Sequence, residues 1–293
     1  MPQVDSTKPH DEAMESPAFS LGPERHLITK VPLLIPRLKQ DRDRLGGGWG
    51  SISASWGSGQ IERRRITRSQ YVEDMLFLLY PELKKPLKEC RLLDLGSGLG
   101  TNAIPAAKIV RSVFGIDTNA PHVNRAREWA EREGLDNVTF RVGSATDLDL
   151  GPFDIVLCDY LLEHVEDPNS LISVIARHLE PHGAYFLSTN NKWWPLEGHY
   201  GLPIPLISWL PRAWANRYVR LMRFGTEYSV YPISWNRLEE LLERNELTWS
   251  LKPPTRPYTA AQKVGKRLVQ ISPAFWKIAN VFQVVGRRKE SAK

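Results

Sequence analysis

The stretch RLLDLGSGLGTNA, Arg91 to Ala103, restricts the fold of this chain more than any other. Apolar residues run up to Asp94, and glycines follow at positions 96, 98 and 100. A segment able to form a helix comes directly after. Glycine tolerates positive φ and leaves no Cβ in the way of a ligand. A strand that turns at once into a helix also presents unpaired backbone N–H groups. Such a turn is built for a ligand lying on the main chain. The dinucleotide fingerprint G-x-G-x-x-G would need its third glycine at position 101. Thr101 stands there, and Gly100 comes one place early. The spacing G-x-G-x-G, with an acid two residues before it, matches a different adenosine-bearing ligand better than a dinucleotide.

The surrounding pattern supports a layered sheet. Ahead of the turn, TRSQYVEDMLFLLYPELKK has apolar residues at 72, 75, 76 and 79, a helical spacing from Thr67 onward. Beyond it, RLLDLG, SVFGID, VTFRVG, FDIVLCD and AYFLST read as strands. Helices from Thr101 to Val110, over APHVNRAREWAEREG and over PNSLISVIARHLEP fall between them. The alternation predicts an α/β fold, a Rossmann-like, doubly wound and mainly parallel sheet. After Thr189 the beat stops for residues 190–233, which are rich in Trp, Pro, Tyr and Arg. It resumes with the helix SWNRLEELLERN, capped by Ser234. The strand LTWSLK, a helical patch and the strand VFQVVGRRK follow, for seven strands in all. The expected organisation is a disordered tail over 1–28 and an apolar arm with a Gly/Ser-rich loop over 29–66. One domain over 67–293 carries 190–233 as an insertion after the fifth strand.

Two cysteines, Cys90 and Cys158, are too few for a disulfide scaffold and point to a reducing compartment. The start of the chain has no basic segment followed by an apolar block, and no apolar run reaches membrane-spanning length. A cytoplasmic protein, reaching at most the periphery of a membrane, is the expectation. The net charge of +6 is uneven: residues 190–293 hold 17 Lys/Arg against 7 Asp/Glu. That excess suits an anionic partner, or simply a solvated basic surface.

In an open parallel sheet, ligands bind beyond the carboxyl ends of the strands near the switch point. Four strand ends carry suitable residues. The first is the glycine turn. The second ends in Asp117, where a carboxylate can accept from both hydroxyls of a ribose. The third is VGSATDL, whose Ser144, Ala145 and Thr146 can meet an adenine edge through one hydroxyl and a backbone N–H. The fourth is CDYLLEHVEDP, with Asp159 and Tyr160 closing the strand and Glu163 and His164 next. Cys158, inside the apolar strand, reads as core.

These motifs together resemble the class I S-adenosylmethionine (SAM)-dependent methyltransferases, in the subgroup of ubiquinone-type small-molecule enzymes. LLDLGSGLG is similar to the family's glycine motif, GIDTNA to its acid-bearing second strand, and FDIVLCDYLLEHVEDP to its fourth motif. LEPHGAYFLST looks like its fifth strand, with His182 where the family has the first of two glycines. The resemblance covers about residues 70–190 and the closing elements. It implies SAM as cofactor, with Gly96, Ser97, Gly98 and Gly100 around its methionine part and Asp94 orienting the loop or meeting the amino group. Asp117 with Thr118 would hold the ribose, Ser144 and Ala145 the adenine, and Asp159 would face the methyl-donor end. Some relatives place a metal on a Glu-x-x-Glu-His pattern. Tyr160 occupies the first of those positions, so no metal is expected.

Methyl transfer needs alignment and, for some nucleophiles, a base. His164 and His199 are the candidates. The insertion reads as an acceptor-side lid walled by Trp193, Trp194, Trp209 and Trp214. Its segment 207–224 forms an amphipathic helix, with Trp214, Tyr218, Leu221 and Met222 on one face and Arg212, Arg220 and Arg223 on the other. That face can pack on the domain, touch a membrane or a lipid-linked acceptor, or stack on nucleic acid bases. Nucleic acid is the least favoured, because the basic residues are dispersed and no RNA-binding module is appended. A small-molecule or lipid-linked acceptor is the leading reading. An RNA or protein methyltransferase and a catalytically silent SAM-binding protein stay open beside it.

Overall fold

The computed structural model describes residues 58–197, 204–222, 227–252 and 279–289. The tail over 1–28, residues 29–57 of the expected arm and loop, and His199 lie outside the described residues; residues 58–66, expected in that loop, open the first helix. The strands, in chain order, are β1 (Arg91–Leu95), β2 (Ser112–Asp117), β3 (Val138–Val142), β4 (Phe153–Asp159) and β5 (Leu179–Asn190), then β6 (Leu196–Glu197), β7 (Ile204–Pro205), β8 (Ser250–Leu251) and β9 (Val281–Gly286). The helices are α1 (Ser58–Leu79), α2 (Ala103–Ala107), α3 (Ala120–Arg132), α4 (Pro168–His178), α5 (Arg212–Leu221) and α6 (Trp235–Arg244).

Seven strands form one sheet in the order β3-β2-β1-β4-β5-β9-β8. β1 to β5 pair in parallel, and β9 runs antiparallel between β5 and β8. This is the α/β, Rossmann-like, doubly wound sheet that the alternation predicts. The switch point falls between β1 and β4, where the chain leaves β1 in opposite directions along the sheet.

Both faces are covered, as a parallel sheet requires. Successive residues of β1 and β4 therefore serve two different cores. Leu92, Ile155 and Leu157 join Val72, Met75, Leu76 and Leu79 of α1 and Val123 and Ala126 of α3. Leu93, Leu95, Val156 and Cys158 join Leu171 and Ile175 of α4 and Leu238 and Leu242 of α6. Cys158 is wholly buried there.

Several boundaries differ from the sequence reading. α1 begins at Ser58 rather than Thr67, in a stretch with no apolar stripe to announce it. α2 spans only Ala103–Ala107, because the amides of Lys108 and Ile109 turn to carbonyls three residues back. β5 starts at Leu179, so Pro181 and Gly183 lie inside a strand with a register shift. A Cβ at Gly183 would sit 2.9 Å from the Phe153 and Asp154 carbonyls, so the strand passes there only as glycine. Only Ser250 and Leu251 of LTWSLK pair as a strand. Ser234 takes the N-cap position of α6, but its side chain makes no capping bond.

The insertion after β5 has an apolar cluster of its own: Ile204, Ile207, Ala215, Val219, Tyr228 and Val230. The buried side of α5 is the small pair Ala215 and Val219. Of the aromatic face read from the sequence, Trp214, Leu221 and Met222 are exposed, while Tyr218 packs on the insertion's cluster. At 100° per residue, Trp214, Arg217 and Leu221 share the outer face instead.

Candidate functional site

The β1 turn opens where the sheet divides. Gly96, Gly98 and Gly100 all have positive φ, at 70°, 50° and 77°. The Gly96 and Ser97 amides both donate to the Ile116 carbonyl, which ties the turn to the end of β2. The Gly98 amide donates to Asp117 Oδ2 at 2.8 Å, and Asn119 N donates to Asp117 Oδ1 at 2.8 Å. A Cβ at Gly98 would meet nothing nearer than that carboxylate, 4.0 Å away. So the side of Gly98 where a Cβ would stand is open, with only the Asp117 carboxylate at its edge, which leaves a ligand room to lie along the turn.

Asp117 and the β3 turn are joined, since Gly143 N donates to the Asp117 carbonyl. Ser144 and Thr146 pair through their hydroxyls at 2.6 Å around the 3-10 turn Ala145–Asp147. Thr118 lies exposed just past β2.

The deepest part of the site is charged. Asp159, at the end of β4, has a wholly buried side chain. It forms an ion pair with Arg68 of α1. It also accepts from Tyr71 Oη at 2.8 Å, Ser188 Oγ at 2.6 Å and Asn102 Nδ2 at 3.2 Å. Arg68 lies 4.7 Å over the Tyr71 ring as well. Burial, with the Asp159 charge beside it, pushes the Tyr71 phenol well above the ordinary range, which keeps it a donor.

Asp94 is buried without that support. Neither of its carboxylate oxygens makes a hydrogen bond of good geometry, though the Ala103 amide lies near enough to favour its ionised form. Burial first, and the Asp159 charge second, push its acid up to about 8. Ser97 Oγ, Asn102 Oδ1 and Arg68 Nε are buried and unpartnered as well. Buried polar groups are nearly always paired, so four orphans gathered around one turn mark a place built for a polar ligand. One arginine faces two buried acids, which leaves the site short of a cation. A zwitterion with an ammonium and a carboxylate answers both deficits.

His164, an exposed residue, closes the 3-10 turn Leu162–His164 after β4. Partial burial lowers its pKa, so the imidazole is neutral at pH 7. Glu163 beside it is buried, accepts from Thr189 Oγ1 at 3.0 Å, and gives its carbonyl to the Tyr231 amide at 2.6 Å. The insertion therefore returns to the sheet against the His164 turn. Tyr160, between Asp159 and this turn, has φ 55° and is 37% exposed. Among the described residues, no group of three or more His, Cys, Asp or Glu is arranged to hold a metal ion.

The structure thus gathers Asp94, Gly96, Ser97, Gly98, Gly100, Asp117, Ser144, Ala145, Asp159 and His164 around the carboxyl ends of β1 to β4. Arg68, Tyr71, Asn102 and Ser188 join them around Asp159, and no local motif announces them. The available signal was Arg68 and Tyr71, three apart on an otherwise core-facing helix, where an arginine needs a buried acid.

Comparison with known proteins agrees with this geometry. Residues 86–246 match the family described as a methyltransferase domain. Over 222 residues the chain is 29% identical to a ubiquinone biosynthesis O-methyltransferase of Brucella ovis, covering 65% of this chain and 88% of that protein. The protein of the same name from Brucella anthropi is 31% identical over 186 residues, covering 59% and 73%. Among solved structures, PKMT2 from Rickettsia typhi in complex with AdoHcy is similar with a TM-score of 0.52 at 17% identity, covering 76% of this chain and 53% of that one. At that identity the likeness is one of fold.

Proposed function

The chain belongs to the class I SAM-dependent methyltransferases, and from that premise we propose that it methylates an oxygen of a small or lipid-linked acceptor. The observation that carries this is the identity to proteins named for O-methylation in ubiquinone biosynthesis, across two thirds of the chain. A hydroxyl on an aromatic ring, free or prenylated, is the acceptor class this implies. RNA and protein acceptors, kept open on sequence alone, gain no support from these relatives.

When bound, SAM supplies a sulfonium methyl that an acceptor oxygen displaces in line. The open side of Gly98 and Asp117 would hold the ribose side, and Ser144 and Ala145 the adenine. Asp94 would meet the ammonium, and Arg68 with Ser97 the carboxylate. Asp159 stays closed by its four donors and contributes a buried negative charge at the donor end. His164, neutral at pH 7, would take the proton that the acceptor hydroxyl loses. The insertion, tied to the His164 turn through Tyr231, would cover the acceptor side and bring α5 to a membrane surface when the acceptor is lipid-linked. Tyr160 stands where a metal-binding carboxylate would be needed, so the reading includes no metal.

The test uses labelled SAM with a panel of free and prenylated phenols, on wild type and His164→Ala. Loss of a general base lowers turnover by roughly 10²–10⁴-fold. The expected outcome is that loss with unchanged affinity for the demethylated product. Full turnover by His164→Ala removes the base assignment, and transfer only to RNA or protein overturns the acceptor class.

A further inference from the structure

The insertion exposes large apolar side chains that its own fold does not need. Of the twelve large hydrophobic residues exposed among the described residues, eight lie between Trp193 and Met222. Trp214 is 64% exposed and Leu221 78%. They sit two helical turns apart on the outer face of α5, with the exposed Arg217 between them and Arg220 beside them. Just ahead of α5, Trp209 and Leu210 are exposed too. Trp209 meets Trp193 edge to face at 6.2 Å, and Lys192 Nζ lies 5.5 Å over the Trp193 ring. The segment already has a core in Ile204, Ile207, Ala215 and Val219, so these residues are surplus to folding. Exposed apolar groups gathered like this mark a docking surface.

We propose that this face, centred on Trp209, Trp214 and Leu221, inserts into the interface of an anionic lipid bilayer. The proposal rests on the reading of a lipid-linked acceptor and names the surface through which the enzyme would reach one. Charge complementarity selects the occupant. From residue 191 to 222 the chain carries Lys192, Arg212, Arg217 and Arg220 against Glu197 alone. Arg212 is engaged inward, donating to the Val230 carbonyl and stacked on Tyr231 at 4.1 Å. Arg217 and Arg220 are exposed beside the apolar groups they separate. Tryptophan and arginine are the side chains that suit this depth: each has an apolar body and a polar end that reaches the headgroups. No described helix is long and apolar enough to cross a membrane, so the contact is one of lying on the surface.

The experiment is flotation of the full chain with vesicles of phosphatidylcholine alone, or with about a third phosphatidylglycerol. The expected result is binding about tenfold or more stronger to the anionic vesicles, weakened by salt. Trp214→Ala with Leu221→Ala should lower binding to both kinds by about tenfold or more. Arg217→Glu with Arg220→Glu should abolish the anionic preference. Circular dichroism and affinity for S-adenosylhomocysteine, both expected unchanged, show that the variants are folded. Equal flotation of wild type and variants overturns the proposal. So does a wild type that stays off both vesicles, whether as a monomer or with the face covered by a second copy, which sedimentation identifies. Turnover of a water-soluble phenol without vesicles reads the methyl-transfer function by itself, so the two can fail separately.

Discussion

Asp94 is a buried acid whose burial works against stability as pH rises, and the proposed ligand contact would offset that cost. Its carboxyl is held at about 8 by burial, with the Asp159 charge adding to it. In the unfolded chain an aspartate titrates near 3.9. The folded state therefore binds a proton more tightly than the unfolded state. Asp94 leaves stability unaffected below about pH 4, and it costs stability progressively as pH rises from there to about 8. Each unit of that shift corresponds to roughly 1.4 kcal/mol. Asp94→Asn keeps the shape and removes the titration. It should raise the melting temperature of the ligand-free protein at pH 8 and leave it nearly unchanged at pH 4. The same variant should bind S-adenosylhomocysteine more weakly. Wild-type affinity should rise with pH up to about 8, because the ammonium pairs with the ionised form and binding expels the proton. Calorimetry in two buffers of different ionisation heat reads that proton, and its release should vanish in Asp94→Asn. Tighter binding by the variant at pH 8 would remove Asp94 from the ligand.

At the scale of elements, α1 is more than a cover for the sheet. Its inner face fills one core with Val72, Met75, Leu76 and Leu79, while Arg68 and Tyr71 reach the end of β4. Arg68→Ala leaves Asp159 and Asp94 as two buried acids with no cation. Breaking a fully buried pair costs about 3–5 kcal/mol. Arg68 keeps a third of its side chain exposed, so about 2 kcal/mol is the expectation in urea unfolding at pH 7. A loss below about 0.5 kcal/mol would show that the pair is a surface contact. The element scale is also where the sequence is read most unevenly. β1, β2 and β4 are legible because parallel strands buried on both faces are continuous apolar runs, and an acid stands at or one residue before the end of each. Asp94, the glycines, Asp117 and Asp159 share that local signature. Arg68, Tyr71, Asn102 and Ser188 do not, because separate elements bring them to Asp159 only when the sheet closes. α5 is ambiguous in a different way. Its aromatic stripe leaves burial and outward docking open, and the structure buries the small Ala215 and Val219 with Tyr218 packed beside them, while Trp214 and Leu221 face water.

For the whole molecule, the fold separates a sheet body that holds the cofactor from an insertion with its own apolar cluster. The glycine turn is bonded to β2, and β2 to the β3 turn, so a ligand on Gly98 and Asp117 ties the ends of β1, β2 and β3 together. The insertion is joined to the body near its ends, through the Asn191–Ile233 bridge and the Tyr231 amide on the Glu163 carbonyl. Ligand binding should therefore stabilise the two parts unequally. At about a hundred times its dissociation constant, S-adenosylhomocysteine adds about 2.7 kcal/mol to the body. For a chain of this size that is a rise of roughly 5 °C or more in melting temperature. NADH at the same concentration should give no shift, because the third glycine of the dinucleotide pattern is absent. Amide hydrogen exchange divides that gain by region. Protection should increase at residues 94–100, 115–119 and 143–146, and in α1 around Arg68, which shares the buried charge cluster. In α5 it should stay within about twofold of the ligand-free rate, since opening there is governed by Ile204, Ile207, Ala215 and Val219. Protection of α5 as strong as that of the glycine turn would make the insertion part of the cofactor pocket. Its outer face would then be committed to the cofactor rather than to the acceptor side or the bilayer.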